Sequence, residues 1–445
     1  MKFNAQLDVD VVALETDDDV TCLLTFEAPT ADDDAKRPGE SLVVVVDRSG
    51  SMSGEPIQAV HAALHNLVDR MRPQDSLGIV AFDSQASVAV PTRLLADHHV
   101  PTVHHHIQDI RPGGSTDLSA GYLLGLSEAR RTIAATGATV VLLSDGHANS
   151  GMTDPVKLGQ LAASAHSDQV TTTTIGIGAG YDETLLSEIA TSGSGTHRFA
   201  FTPDDAQAVV AEEAGDLLSK SILNAFVRVR PSDPSHIDRI GTLHDVPRWI
   251  ERSTDGAQVL TIPLGDLYSG EHRELLINFA VPAVPTLTQF DLAQINIEYV
   301  AMPSLEAQTI TWPLTINIAD ADQAAARTTN PTVTTAKLIA ESQQAKKLAS
   351  DALKHGDTST AARIMDAEAG RLRRGASEVP GNHPEAANLR TRLADEERHV
   401  HKLADGARQR AARVARKSFI EDSNWESRGR SDRARQARRR ERREW

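Results

Sequence analysis

Hydrophobic residues change their spacing several times along the chain, and each change predicts a different kind of element. Leu7-Asp8-Val9-Asp10-Val11-Val12 and Val20 to Phe26 alternate and predict two strands, with Asp17-Asp18-Asp19 as a turn between them. Ala31 to Gly39 is polar, carries Asp32-Asp33-Asp34 and a Pro-Gly pair, and predicts a linker. Leu42-Val43-Val44-Val45-Val46 is then apolar without interruption, the pattern of a strand buried on both faces of a parallel sheet. Ile57, Val60, Leu64, Leu67, Val68 and Met71 form a helical stripe, and Pro56 suits that helix's first turn. Strands are predicted at Ser76–Asp83, Ala86–Val90, Ala138–Asp145, Val170–Ile177 and Thr196–Phe201. Helical stretches lie between them: part of Leu94–Ile110, a helix from the Gly113-Gly114 loop through Thr132, then Pro155–His166, Asp182–Thr191 and finally Pro203–Ser221. Strands alternating with helices predict right-handed βαβ crossovers and a doubly wound, mostly parallel α/β sheet.

From Ala225 to Ala319 the period falls from 3.6 to 2. Phe226–Arg230, Gln258–Ile262, Glu274–Phe279, Ile295–Tyr299 and Leu314–Ile318 alternate apolar with polar, as in an antiparallel β-sandwich. A lone hairpin is marginal in water, so the two N-terminal strands are expected to join this sandwich. The α/β domain then becomes an insertion. A polar linker, 320–330, leads to helices that begin at Pro331 and turn at His355-Gly356-Asp357, with a third helix following Pro384 as far as Val414. The first two resemble a single tetratricopeptide-like pair, too little for a solenoid. The expected boundaries are 1–38 for the N-terminal strands, 39–224 for the α/β domain, 225–320 for the sandwich, 331–415 for a helical bundle or arm, and 416–445 for an Arg-rich tail that is disordered when free.

Composition narrows the setting. No apolar run approaches the ~20 residues that span a bilayer, the chain opens without an apolar leader, and Cys22 is a single cysteine. A cytoplasmic protein with no membrane association is the expectation. The formal charge of −15 is uneven: His401 to Trp445 holds fifteen Lys/Arg against seven Asp/Glu, a local +8 that leaves −23 in the rest. Only the tail could attract nucleic acid, and a solvated tail is the favoured reading of it.

The candidate chemistry begins where the valine run stops. Asp47-x-Ser49-x-Ser51 offers a carboxylate and two hydroxyls on a Gly-containing loop at the carboxyl end of a central strand. Thr116 follows a glycine-rich loop, and Asp145-Gly146 ends the second buried strand. Oxygen donors of this kind suit Mg²⁺; the structural alternative is a set of turn-capping residues. Asp47, Ser49, Ser51, Thr116 and Asp145, in this order on three loops, resemble the metal-ion-dependent adhesion site (MIDAS) of von Willebrand factor type A (VWA) domains, in their bacterial intracellular form. The resemblance covers roughly Gly39 to Asn224. It implies a bound Mg²⁺, replaceable by Mn²⁺ or Ca²⁺, whose coordination is completed by an acidic side chain of a partner protein. It also implies a role in a cytosolic assembly, beside an AAA+ ATPase or signalling protein, and a last helix, 203–221, that shifts in family members with two affinity states.

No catalytic constellation is visible: no phosphate-binding GxxxxGK[ST] loop and no GxSxG elbow occurs, so the chain reads as a non-enzyme. The alternatives are a metal-dependent hydrolase using His147 or Asp83 as its base, or nucleic-acid binding through the tail. Asp117 is expected to cap a helix, and the histidines at 98, 99, 104, 105 and 106 to form a solvated face.

Overall fold

The computed structural model describes residues 1–30, 38–133, 137–145, 148–178, 180–200, 209, 219–244, 246, 248–409 and 415–416. By their contacts they divide into two units, residues 32–220 and residues 1–31 with 221–445.

Three strands open the chain: β1 (Lys2–Leu7), β2 (Val11–Ala13) and β3 (Asp18–Glu27). The alternation over 7–12 therefore straddles two strands, because β1 starts five residues earlier and the chain breaks its ladder after Leu7. The α/β unit follows as β4 (Ser41–Asp47), α1 (Glu55–Arg70), β5 (Ser76–Phe82), β6 (Ala86–Leu94), α2 (Val100–Gln108) and α3 (Leu118–Arg131). It continues with β7 (Ala138–Ser144), α4 (Pro155–Ser167), β8 (Val170–Ile177), α5 (Glu183–Ser192) and β9 (Ser194–Ala200). The strand order is β6-β5-β4-β7-β8-β9. All pairs are parallel except β6, which runs antiparallel along the β5 edge. β6 extends past the expected Val90 to Leu94 and tolerates Pro91 because an edge strand need not donate on its open side.

The valine run explains the layering. Leu42, Val44 and Val46 point into one core with Ile57, Val60 and Leu64 of α1, while Val43 and Val45 point into the other with Tyr122 and Leu126 of α3 and Ile189 of α5. Period-2 side chains from one continuous apolar strand thus supply both faces. Each such buried side chain is worth about 1.5–3 kcal/mol. The helix expected over 203–221 falls largely outside the described residues, but Lys220 and Ser221 open strand β10 instead of closing that helix.

The remaining strands are β10 (Lys220–Pro231), β11 (Ile240–Thr242), β12 (Trp249–Arg252), β13 (Gln258–Tyr268), β14 (His272–Val281), β15 (Gln289–Ala301) and β16 (Glu306–Ala319). They form two sheets with the N-terminal strands, β1-β3-β14-β11 and β12-β13-β10-β15-β16-β2. Leu24 and Phe26 of β3 and Ile277 of β14 share one core with Val227 and Val229 of β10 and Ile295 and Ile297 of β15, so the sheets pack face to face. Helices α6 (Ala321–Ala325), α7 (Pro331–Lys354), α8 (Thr358–Glu378) and α9 (Ala386–Gln409) follow. Asp357 caps α8 by accepting from Thr360 N at 2.9 Å, and Gly356 takes the left-handed φ of 79° that the turn requires. The helices are no free arm: Val333, Ala336 and Ala340 of α7 cover Leu23 and Leu276 on the outer face of the β3–β14 sheet. The Arg-rich stretch from 417 onward lies outside the described residues.

Candidate functional site

In the α/β sheet, β4 is the first strand and β5 and β6 extend to one side of it, whereas β7, β8 and β9 extend to the other. The order therefore reverses between β4 and β7, where open α/β sheets leave a crevice at their carboxyl ends. Asp47 ends β4 and Asp145 immediately follows β7.

The loop after β4 folds back on its own carboxylate. Asp47 is fully buried, and its Oδ1 accepts Ser49 N at 2.8 Å. The Ser49 and Ser51 hydroxyls lie 3.0 Å apart, and Ser51 Oγ donates to Asp145 Oδ1 at 2.8 Å. Four of the five expected residues are thus joined by one run of hydrogen bonds. Thr116, also buried, stands on a loop stitched to the first: Gly113 N donates to Arg48 O at 2.7 Å and Gly50 N to Gly114 O at 3.2 Å. Helix α3 sets that loop close to the sheet, since a Cβ on Gly121 would fall 2.4 Å from the Phe82 ring.

Two residues that sequence patterns did not single out complete the arrangement. Ser144 Oγ donates to Asp47 Oδ2 at 2.7 Å. Asn149 Oδ1 accepts Thr116 N at 2.9 Å, while the amides of Asn149 and Ser150 donate to Thr116 O. Ser144 carries a readable signal, being the one hydroxyl that ends β7 beside an aspartate. Asn149 carries none, because its role depends on how two distant loops meet.

The electrostatics are unbalanced. Burial pushes the Asp47 carboxyl up, against the bonds from Ser144 and Ser49, and Asp83 pushes it further. Burial likewise raises Asp145 to about 6, with Ser51 opposing and the charge of Asp47 adding to the rise. The adjacent cation, Arg48, is turned to Asp83: its Nε stands 3.1 Å from Asp83 Oδ2, an ion pair without hydrogen-bond alignment. Asp83 also accepts the Gln85 amide at 2.9 Å, as a turn-capping carboxylate does. Asp117 caps α3, accepting Ala120 N at 3.0 Å. His147 lies outside the described residues. The histidines of the 98–106 stretch face different partners: His98 lies half-buried against the Leu77 carbonyl, His99 bonds Thr102, His105 faces Asp109 at 3.4 Å, and His104 packs on His65 beside Asp69. Among the described residues no group of three His, Cys, Asp or Glu is placed to hold a metal. Any cation at the head of β4 and β7 would rely on two carboxylates and hydroxyl oxygens. That donor set fits a hard cation such as Mg²⁺ and no soft one.

Residues 41–214 match the family model of the von Willebrand factor type A domain. The chain contains a VWA domain. The Synechocystis protein sll0103 is 26% identical over 294 residues, which cover 65% of this chain and 69% of that one. YfbK of Escherichia coli is 27% identical over 250 residues, 55% of this chain but 42% of YfbK, so this chain spans less than half of that relative. The fold as a whole recurs in the solved von Willebrand factor type A protein from Catenulispora acidiphila, with a TM-score of 0.70, 16% identity and coverage of 95% of this chain and 96% of that one. Among the described residues no helix is long and apolar enough to cross a membrane.

Proposed function

We propose that the chain is a Mg²⁺-dependent protein-interaction module of a cytosolic assembly. Asp47, Ser49, Ser51, Thr116 and Asp145 hold the cation, and a carboxylate of a partner protein completes its coordination. Mn²⁺ or Ca²⁺ can occupy the same oxygens. The observation that carries this reading is the pair of carboxylates at the switch point, bridged by serine hydroxyls, with no cationic side chain bonded to either among the described residues. A dication there offsets the burial that raises Asp145 and the Asp47 charge that adds to the rise, and Mg²⁺ keeps exchangeable water positions that an external oxygen can take. The VWA domain supports an interaction role, and a partner such as an AAA+ ATPase or signalling protein belongs to the proposal. The bound group does no covalent work here; it supplies a Lewis-acidic point for an anionic side chain, and the chain's own residues orient it.

The test is calorimetric titration of Mg²⁺ into the full chain, with Thr116→Ala and Asp145→Ala beside it, followed by partner capture from lysate with and without chelator. Wild-type binding lost in both variants, with the same partners lost on chelation, supports the reading. Partners retained in every lane overturn it.

A further inference from the structure

A second surface of the protein has no role in the proposed metal chemistry. Beside the β1 edge of the sandwich, the β1–β2 connection, β16, the residues before α7 and the turn before α9 enclose a groove of about 840 Å³. Its charge is one-sided: Asp8, Asp10 and Glu385 line it, with His383 and no Lys or Arg. Asp10 and Glu385 are exposed. The nearby Arg327 is already committed, bonding Asp18 and the Val11 carbonyl. One wall is the Trp312 indole, 39% exposed and held edge-on by Phe3 at 5.7 Å between centroids. Exposed carboxylates beside an accessible aromatic face are the elements that bind guanidinium groups, through ion pairs and cation–π stacking. Among the described residues β1 pairs only with β3, so its outer edge also leaves backbone groups open to an extended chain.

We propose that this groove docks the chain's own arginine-rich segment, residues 428–443. That segment holds nine arginines against Asp432 and Glu441, opposite in sign to the groove, and contains no Lys or proline. Its reach is sufficient. Ala386 to Arg416 is 31 residues, ~46 Å if helical throughout at 1.5 Å per residue, and residues 417–430 alone can extend ~46 Å back, so Arg433 and the arginines after it reach the groove. Several arginines in a polar, solvent-open groove give a contact that is individually weak, additive and sensitive to salt. The segment would thereby be withheld from other acidic partners until salt or a competitor releases it.

The experiment is limited trypsin digestion of the native full chain, following cleavage within 428–443 by mass spectrometry at low and high ionic strength. Docking predicts cleavage about tenfold slower at low salt, because protease reaches only the released fraction. Asp10→Lys with Glu385→Lys should abolish that protection, and Trp312→Ala should reduce it, with unchanged thermal unfolding showing that these exposed sites leave the fold intact. Reversing Asp97 and Asp109 in the α/β unit makes the same change in net charge and should leave protection in place. Equal cleavage of wild type and the groove variant at low salt overturns the proposal. So does loss of protection in the Asp97/Asp109 control, which would mean general attraction to an acidic body. Protection that grows with protein concentration overturns it too, since that would place the segment in a second copy.

Discussion

Two regions of the protein bury carboxylates and treat them in opposite ways. In the helical bundle Glu396 is almost wholly buried, and Lys346 Nζ, fully buried, stands 3.0 Å from it with Ser342 as a further donor. Burial acts to raise the Glu396 carboxyl, yet Lys346 and its neighbours prevail and leave it lowered. At the heads of β4 and β7, Asp47 and Asp145 are also shielded, but among the described residues the groups that bond them are serine hydroxyls and backbone amides, and both carboxyls are raised. The bundle brings its own counter-cation. The switch point brings hydrogen-bond donors alone, and on the proposed reading the positive charge comes from a bound cation, which would be the difference between a structural ion pair and a binding site.

The sharpest way to break this comparison is to remove the bundle's cation. Lys346→Met should cost about 3–5 kcal/mol in denaturant unfolding, because Glu396 is left buried and uncompensated. Lys346→Met with Glu396→Leu should recover most of that loss, since both charges are then gone. A single variant as stable as wild type would mean that water reaches Glu396 and that the two regions do not differ.

The same operation at the switch point should do the reverse. Without added metal, Asp145→Asn should stabilise the chain at pH 7 by ~1–2 kcal/mol, less than the bare shift implies because solvent reaches this carboxylate. The sign follows from the raised carboxyl: wild-type stability from this group is fully present below its unfolded value of 3.8 and declines as pH rises through about 6. The advantage of the variant should therefore vanish in acid. With Mg²⁺ at a hundred times its Kd the order inverts, because wild type gains about 2.7 kcal/mol of linked stability that Asp145→Asn cannot. Cation affinity should itself fall about tenfold per pH unit below 6, where a proton must leave before the metal binds. A Tm that ignores both Mg²⁺ and pH in wild type would remove the contrast with Glu396.

How much of this was legible in the sequence depends on the scale of the cause. The switch-point strands were legible because Leu42–Val46 runs apolar straight into Asp47 and Val140–Leu143 is followed by Ser144 and Asp145, so burial and chemistry fall within a residue or two of each other. Strands β11 and β12 were not, being three and four residues long with little apolar content and held by pairing to β14 and β13. The docking of α7 on the outer face of β3 was hidden for a different reason. Its Val333, Ala336 and Ala340 form a weak stripe, and Leu23 already looked accounted for as part of an alternating strand. Lys346 and Glu396 stand fifty residues apart, and nothing in the helical spacing pairs them until the helices are packed.

Asn149 is where sequence legibility and energy are both smallest. Its carboxamide accepts the Thr116 amide, and its own amide returns a bond to the Thr116 carbonyl, so one residue fixes both polar groups of that peptide segment. Asn149→Ala removes the side-chain half alone and should cost about 0.5–1.5 kcal/mol in denaturant unfolding, the worth of one ordinary hydrogen bond. If the site is built to receive a cation, that small loss should be accompanied by weaker Mg²⁺ binding, because the loop that carries Thr116 loses its tie while Asp47, Ser49, Ser51 and Asp145 keep theirs. Asn149→Asp sharpens the point: it retains an acceptor for the Thr116 amide, so the stability cost should shrink in the metal-bound protein, where added negative charge beside a dication is favourable. Equal stability losses for the two variants with Mg²⁺ unbound and bound would mean that Asn149 braces the fold with no bearing on the site.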